Sequence, residues 1–142
     1  MKKDIREELS KEEIKAFHKS LLTFSDLASE VIAEVSKGSL GIERKGDKSV
    51  VTKADIEAEK ALRKAITETY PTHGILGEEF GLERAESDFQ WILDPVDGTE
   101  EFSRGIPIWG TIIGLHYKGA PVCGAITHPE LGGKWTIETA PP

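Results

Sequence analysis

Two aspartates, Asp94 and Asp97, stand three residues apart in Trp91-Ile92-Leu93-Asp94-Pro95-Val96-Asp97-Gly98-Thr99. An apolar run leads into them. Pro95 fixes its own φ and removes a backbone donor, and Gly98 permits close backbone approach or an unusual φ. The pattern predicts a strand that ends at Asp94, followed by a tight turn that points both carboxylates into one space. Carboxylates that close repel unless a proton or a cation lies between them. The other donors at hand are also oxygens, Glu78 and the Val96 carbonyl, and no Cys or His cluster has zinc spacing. A hard, all-oxygen set suits Mg²⁺, Mn²⁺ or Ca²⁺. The run from Gly98 to Phe102 can open a helix whose first amides attract phosphate. Together these are the parts that metal-assisted phosphate hydrolysis needs. Taken alone, Asp-Pro-x-Asp-Gly is also an ordinary surface turn. The stretches Gly77-Glu78-Glu79 and Thr52-Lys53-Ala54-Asp55 tip the balance towards a site.

The elements that must position these residues follow from periodicity. Ser10 and Glu13 form a capping box, and Ile14, Phe17, Leu21, Phe24, Ala28, Val31 and Val35 then recur in steps of three and four. This predicts a helix over 11–37 with Gly38 as a left-handed stop, packed by its stripe on a sheet. Residues 38–51, with Arg44, Lys45, Asp47 and Lys48, read as a loop or irregular hairpin. A second helix starts at Thr52 with Asp55 at its third position and runs to Tyr70, where Pro71 ends it. Capping the helix is compatible with a chemical role for Asp55. Beyond Gly74 the pattern changes to short strands: 75–76, 91–93, 111–117, 121–127 and 134–139, with Lys118-Gly119 as a turn. The last three predict an antiparallel meander covered on one face by the helices, an α+β architecture.

The chain has 142 residues, and its 18 basic and 25 acidic side chains give a formal charge of −7. That balance argues against binding driven by nucleic-acid phosphates, which needs a basic face. It is compatible with a phosphorylated small molecule held through cations. The single cysteine, Cys123, excludes an internal disulfide, so a cytoplasmic location is expected. The sequence shows no long apolar run and no secretory signal, so no membrane association is expected. Cys123 reads as a small buried hydrophobe, and Trp91, Trp109 and Trp135 as core anchors. The four histidines, His18, His73, His116 and His128, are scattered and read as structural or exposed. Glu79 reads as a solvated neighbour of Glu78, and Lys45 either approaches the phosphate or is a loop charge.

Three motifs in order resemble the inositol monophosphatase superfamily. They are Val51-Thr52-Lys53-Ala54-Asp55, Gly77-Glu78-Glu79, and Trp91-Ile92-Leu93 leading into Asp94-Pro95-Val96-Asp97-Gly98-Thr99. The resemblance runs from Arg44 to Ala140. Downstream, Phe102-Ser103-Arg104-Gly105-Ile106-Pro107-Ile108-Trp109-Gly110-Thr111 and Pro129-Glu130-Leu131-Gly132-Gly133-Lys134-Trp135 resemble the histidinol-phosphatase branch. Glu101 stands where inositol-specific members more often carry asparagine.

The resemblance implies Mg²⁺-dependent hydrolysis of a phosphate monoester, with two or three ions and Mn²⁺ as a substitute. Glu78, Asp94 and the Val96 carbonyl would hold one ion, and Asp94 and Asp97 would contribute to another. Gly98 and Thr99 would hold the phosphate, and Thr99 with Asp55 would orient and deprotonate the attacking water near Glu78. Histidinol phosphate is the favoured substrate, and Glu100, Glu101 and Arg104 either meet its non-phosphate part or form an exposed helix face. Inositol monophosphate, a phosphoadenosine-type nucleotide and a sugar bisphosphate are the alternatives. The implied fold is the N-terminal part of a layered αβαβα sandwich, and the family's oligomer is a homodimer. Members are a little under twice this length, and their second half carries a Trp-Asp motif that this sequence lacks. The whole chain, residues 1–142, therefore reads as the N-terminal metal-binding portion of such an enzyme. A non-catalytic piece that retains metal binding is the contrasting expectation. Weak solubility or self-association is expected for the exposed sheet.

Overall fold

Both halves of the first capping box are made. The Ser10 hydroxyl accepts the Glu13 N–H at 3.0 Å and the Glu13 carboxylate accepts the Ser10 N–H at 2.7 Å. They start α1 (Lys11–Val35). This is a computed structural model, and it describes residues 3–47 and 49–138. A single 3-10 turn at Ile5–Glu8 precedes α1. The predicted stripe is buried from Ile14 to Ala28, then drifts to Ile32, with Val31 and Val35 only partly covered. A helical repeat of 3.6 walks off a strict three-four alternation over this many turns. Gly38 is not left-handed. The helix closes instead through short i+3 bonds, Lys37 N–H to Glu34 O and Gly38 N–H to Val35 O, so no positive φ is required.

Residues 38–51 contain a small antiparallel hairpin of β1 (Glu43–Arg44) and β2 (Val50–Val51). Lys48, placed in this loop by the sequence, lies outside the described residues. Next comes α2 (Lys53–Thr69), capped by Thr52 and closed at Tyr70 just before Pro71. A six-stranded mixed, mostly antiparallel sheet follows. Its strands are β3 (Gly74–Gly77), β4 (Gly81–Glu83), β5 (Phe89–Asp97), β6 (Gly110–Tyr117), β7 (Ala120–His128) and β8 (Gly133–Glu138). Thr139, the expected end of β8, lies outside the described residues. The spatial order is β4-β3-β5-β6-β7-β8, and only β3 and β5 run parallel. The expected meander is therefore present, and β5 extends it by one strand. Lys118 and Gly119 both have positive φ, 47° and 82°, as a two-residue hairpin between β6 and β7 needs. Strand β4 was not expected. Its three residues are all exposed at the sheet edge, so they carry no alternation to read.

Both long helices cover one face of the sheet. Leu21, Phe24, Leu62, Ile66, Ile75, Trp91, Leu93, Ile113 and Leu115 form the main core. A second cluster, Ile32, Ala54, Ala58, Val96, Phe102 and Trp109, sits under the site end of the sheet. Cys123 is buried as expected, and so are Trp91 and Trp109. Trp135 is not a core anchor. It is 58 % exposed, beside Ile126 on β7, on the sheet face turned away from the helices. Among the described residues no helix is long and apolar enough to cross a membrane.

Candidate functional site

The strand expected to stop at Asp94 continues through Pro95 and Val96 to Asp97. Its pairing with β6 shifts register between Asp94, opposite Ile112, and Asp97, opposite Gly110. The expected tight turn is thus a bulge inside β5. Extended φ and ψ suit proline, and the missing proline donor costs little where the ladder is already broken. The Pro95 carbonyl accepts the buried Thr111 hydroxyl at 2.7 Å, which pins the bulge to β6. The chain reverses only at Gly98, in left-handed conformation at φ 87°. An added Cβ there would lie 3.5 Å from the Trp109 backbone and 3.3 Å from a Glu101 carboxylate oxygen. Gly98 caps the short α3 (Thr99–Ser103), whose first turn has no side-chain cap.

The capping box of α2 reaches this turn. Asp55 Oδ2 accepts the Thr52 N–H at 2.8 Å and the Thr52 hydroxyl at 2.7 Å. Asp55 Oδ1 lies 2.9 Å from the Thr99 hydroxyl, which is also 2.9 Å from the Val96 carbonyl. One hydroxyl carries one hydrogen, so it donates to one of these acceptors at a time. Asp55 is buried, Thr99 half-buried, and each of Asp55's oxygens has a partner.

Glu78 is exposed on the turn between β3 and β4, and it lines one cleft with Asp94, Leu76 and Ile92. Burial, followed by the charges of Glu78 and Asp97, pushes the Asp94 carboxyl up to about 7. A hydrogen bond to Asp97 and the charge of Asp55 act in the same direction. Glu78 is also raised, first by desolvation and then by Glu79, Asp55 and Asp97, while Lys45 opposes the rise. The four expected carboxylates therefore face one another electrostatically. The donor set is all oxygen, and its repulsion is the kind a divalent cation relieves, so its chemistry fits Mg²⁺ or Mn²⁺. Among the described residues no three Asp, Glu, His or Cys side chains are gathered closely enough to hold one ion. Asp97, at the end of β5, and Glu78, on the β3–β4 turn, are both exposed.

Glu79 is not solvated. Its side chain is 11 % exposed and accepts Lys45 Nζ at 2.8 Å, which also gives Lys45 a definite place at the edge of the site. Glu100 pairs with Arg104 at 2.8 Å and stands 3.9 Å from Arg44, forming an exposed helix face. His73 is buried among Phe17, Tyr70, Phe89 and Trp91, and its Nδ1 accepts the Trp91 indole N–H at 3.0 Å. It is structural, as expected.

Sequence reasoning missed Glu59 and Arg63. Glu59 is fully buried, and its carboxylate accepts the Glu79 N–H and the Phe80 N–H, both at 2.9 Å. Arg63 Nε donates to Glu59 at 3.0 Å, and its other nitrogens reach Glu83 and the Gly81 carbonyl. The signal was in the spacing. Asp55, Glu59 and Arg63 recur every four residues along the buried side of α2, between Ala54, Ala58 and Leu62.

The comparisons agree with this architecture. Residues 12–139 match the inositol monophosphatase family. The bifunctional phosphatase IMPL2 of Arabidopsis thaliana is 41 % identical over 130 residues, covering 90 % of this chain and 38 % of that protein. A histidinol-phosphatase of Mycobacterium tuberculosis is 39 % identical over 116 residues, covering 80 % of this chain and 44 % of that one. The crystal structure of the extragenic suppressor protein suhB from Bartonella henselae superposes with a TM-score of 0.82 at 28 % identity. That match covers 87 % of this chain and 49 % of the suhB chain. The chain thus spans less than half the length of these relatives. The mixed sheet with its helices superposes on part of an α+β fold of this kind, and the chain belongs to the inositol monophosphatase family.

Proposed function

We propose that this chain carries the metal-binding portion of a phosphate monoesterase that uses a metal-activated water, with histidinol phosphate as substrate. The observation that carries the reading is the placement of Asp94 against Glu78, Asp97 and Asp55, beside the Asp55–Thr99 hydrogen bond. Glu78, Asp94 and the Val96 carbonyl would hold one Mg²⁺, and Asp94 with Asp97 part of a second. When bound, the ions lower the pKa of water, neutralise phosphate oxygens and stabilise the leaving alkoxide. The chain's residues supply orientation and proton transfer. Asp55, held by Thr52, accepts the Thr99 proton at Oδ1, so Thr99 Oγ can in turn take a proton from water. Gly98 brings backbone close to the phosphate because it has no side chain in the way. Lys45, already paired with Glu79, contributes positive charge at the mouth of the site.

The name of the 39 % identical M. tuberculosis relative supports histidinol phosphate as a substrate. Glu101 supports it on chemical grounds. It lies against Gly98, where its carboxylate can meet a substrate ammonium group. A second reading is metal binding without turnover, because the chain spans less than half the length of these relatives. Phosphate release from histidinol phosphate, inositol monophosphate, a 3′-phosphonucleotide and a sugar bisphosphate, with and without Mg²⁺, decides between them. Mg²⁺-dependent release supports the phosphatase. Mn²⁺ binding without release from any substrate overturns it in favour of the second reading.

A further inference from the structure

A buried carboxylate is costly unless its partners match it, and Glu59 is fully buried in the middle of α2. Its partners are unusual for a helix residue. Two are backbone amides of another element, Glu79 and Phe80, each at 2.9 Å, one on each carboxylate oxygen. The third is Arg63 on the next helical turn, at 3.0 Å. Gly77 makes the approach possible. A Cβ at that position would lie 2.5 Å from both Glu59 Cδ and Oε1. No side chain fits there, although no positive φ demands glycine. The carboxylate therefore grips the β3–β4 turn on both sides of Glu78, through the glycine before it and the two amides after it.

Arg63 completes the clamp. It holds Glu59 from behind, donates to Glu83 at 2.6 Å and bonds the Gly81 carbonyl, tying down the far side of the same turn. One helical turn earlier, Asp55 holds Thr99. The rigid spacing of α2 thus fixes the distance between the turn that carries Glu78 and the threonine that would handle the proton.

We propose that Glu59 is a positioning residue that orients Glu78 for divalent-cation binding, acting through the amides of Glu79 and Phe80. This rests on the reading of Glu78 as a metal ligand. Groups that orient a ligand from behind typically change metal affinity by about 10–100-fold when removed. The test is a Mn²⁺ titration followed by electron paramagnetic resonance, on the wild-type chain and on Glu59→Gln, with far-UV circular dichroism as the check on folding. Glu59→Gln is expected to fold and to bind Mn²⁺ about tenfold more weakly, because the amide cannot accept on both sides. Unchanged affinity in a folded Glu59→Gln overturns the proposal. Glu59→Asp is the second variant. It keeps the charge facing Arg63 but is one methylene too short for the turn, and it is expected to show the same weakening. Wild-type hydrogen exchange supplies an arm that needs no variant: Glu79 and Phe80 amides must be protected, and exchange at the rate of free amides overturns the clamp. A wild-type chain that binds no Mn²⁺ overturns the reading of Glu78 itself, and the wild-type titration alone reveals that.

Discussion

The Thr99 hydroxyl lies 2.9 Å from Asp55 Oδ1, joining residues 44 positions apart. Asp55 caps α2 with its other oxygen, so one carboxylate both starts a helix and faces the candidate site. Replacing Thr99 by Val removes the proton relay while keeping the shape. Turnover of a phosphate monoester is expected to fall about 100-fold or more, as for a lost general-base contact. Mn²⁺ affinity is expected to change little. Steady-state phosphate release measured beside Mn²⁺ titration checks both parts, and equal losses in the two would contradict the assigned role.

Asp94 predicts an inverse relation between stability and metal binding. Its carboxyl is raised to about 7, chiefly by burial and then by neighbouring negative charge, so its ionised form is disfavoured in the fold. A raised carboxyl makes stability fall as pH climbs from the ordinary 3.8 towards 7. Without divalent cations, Asp94→Asn is therefore expected to melt higher than wild type at pH 7. With Mg²⁺ the order is expected to reverse, because the ion stabilises only the chain that binds it. Thermal melts with EDTA and with Mg²⁺ provide the check, and a variant less stable in both would refute the reasoning.

His73 predicts the opposite dependence, acid sensitivity. Burial, and next the positive charge of Arg84, lower its pKa from 6.5 to about 4. Above pH 6.5 both folded and unfolded chains hold it neutral. Below that, the unfolded chain takes up a proton that the fold refuses. Stability falls by up to about 1.4 kcal/mol per pH unit until the folded pKa is reached, roughly 3 kcal/mol in all. Urea unfolding of the Asp94→Asn chain, which lacks the opposing Asp94 titration, should show this loss between pH 7 and pH 5, and adding His73→Phe should reduce it. An equal pH dependence in the variant would exclude His73 as its source.

The sheet face turned away from the helices predicts self-association. Asp94, Ile112, Ile126 and Trp135 are register partners across β5 to β8, and Trp135 is 58 % exposed. An apolar surface of this kind is a site of contact. Sedimentation velocity is expected to show concentration-dependent association of the 142-residue chain, reduced by Trp135→Ser. A monomer at every concentration would run against the prediction.

The two capping boxes and the β6–β7 turn were legible in the sequence. Each depends on residues within about four positions of one another, where side-chain reach and backbone sterics suffice. The bulge at Pro95 was not. A proline between two aspartates suits a turn as well as a broken ladder, and only the register against Ile112 and Gly110 selects between them. Trp135 was misplaced for a related reason. Composition says that a tryptophan is apolar, but the face of β8 on which it lies is set by pairing with β7.

By itself, then, the sequence determined the chemistry available: which oxygens exist, in what order, and on which kinds of element. Tertiary structure decided which of them meet. Asp55 reaches Thr99 only because α2 packs against the end of β5. Glu79 became a half-buried ion-pair partner instead of a solvated charge because Lys45 comes across from the β1–β2 hairpin. Glu59 looked like one more helix glutamate, and the missing side chain of Gly77 lets it grip a distant turn. Each contact brings together segments far apart along the chain, and its closure is driven by apolar packing that no local motif contains.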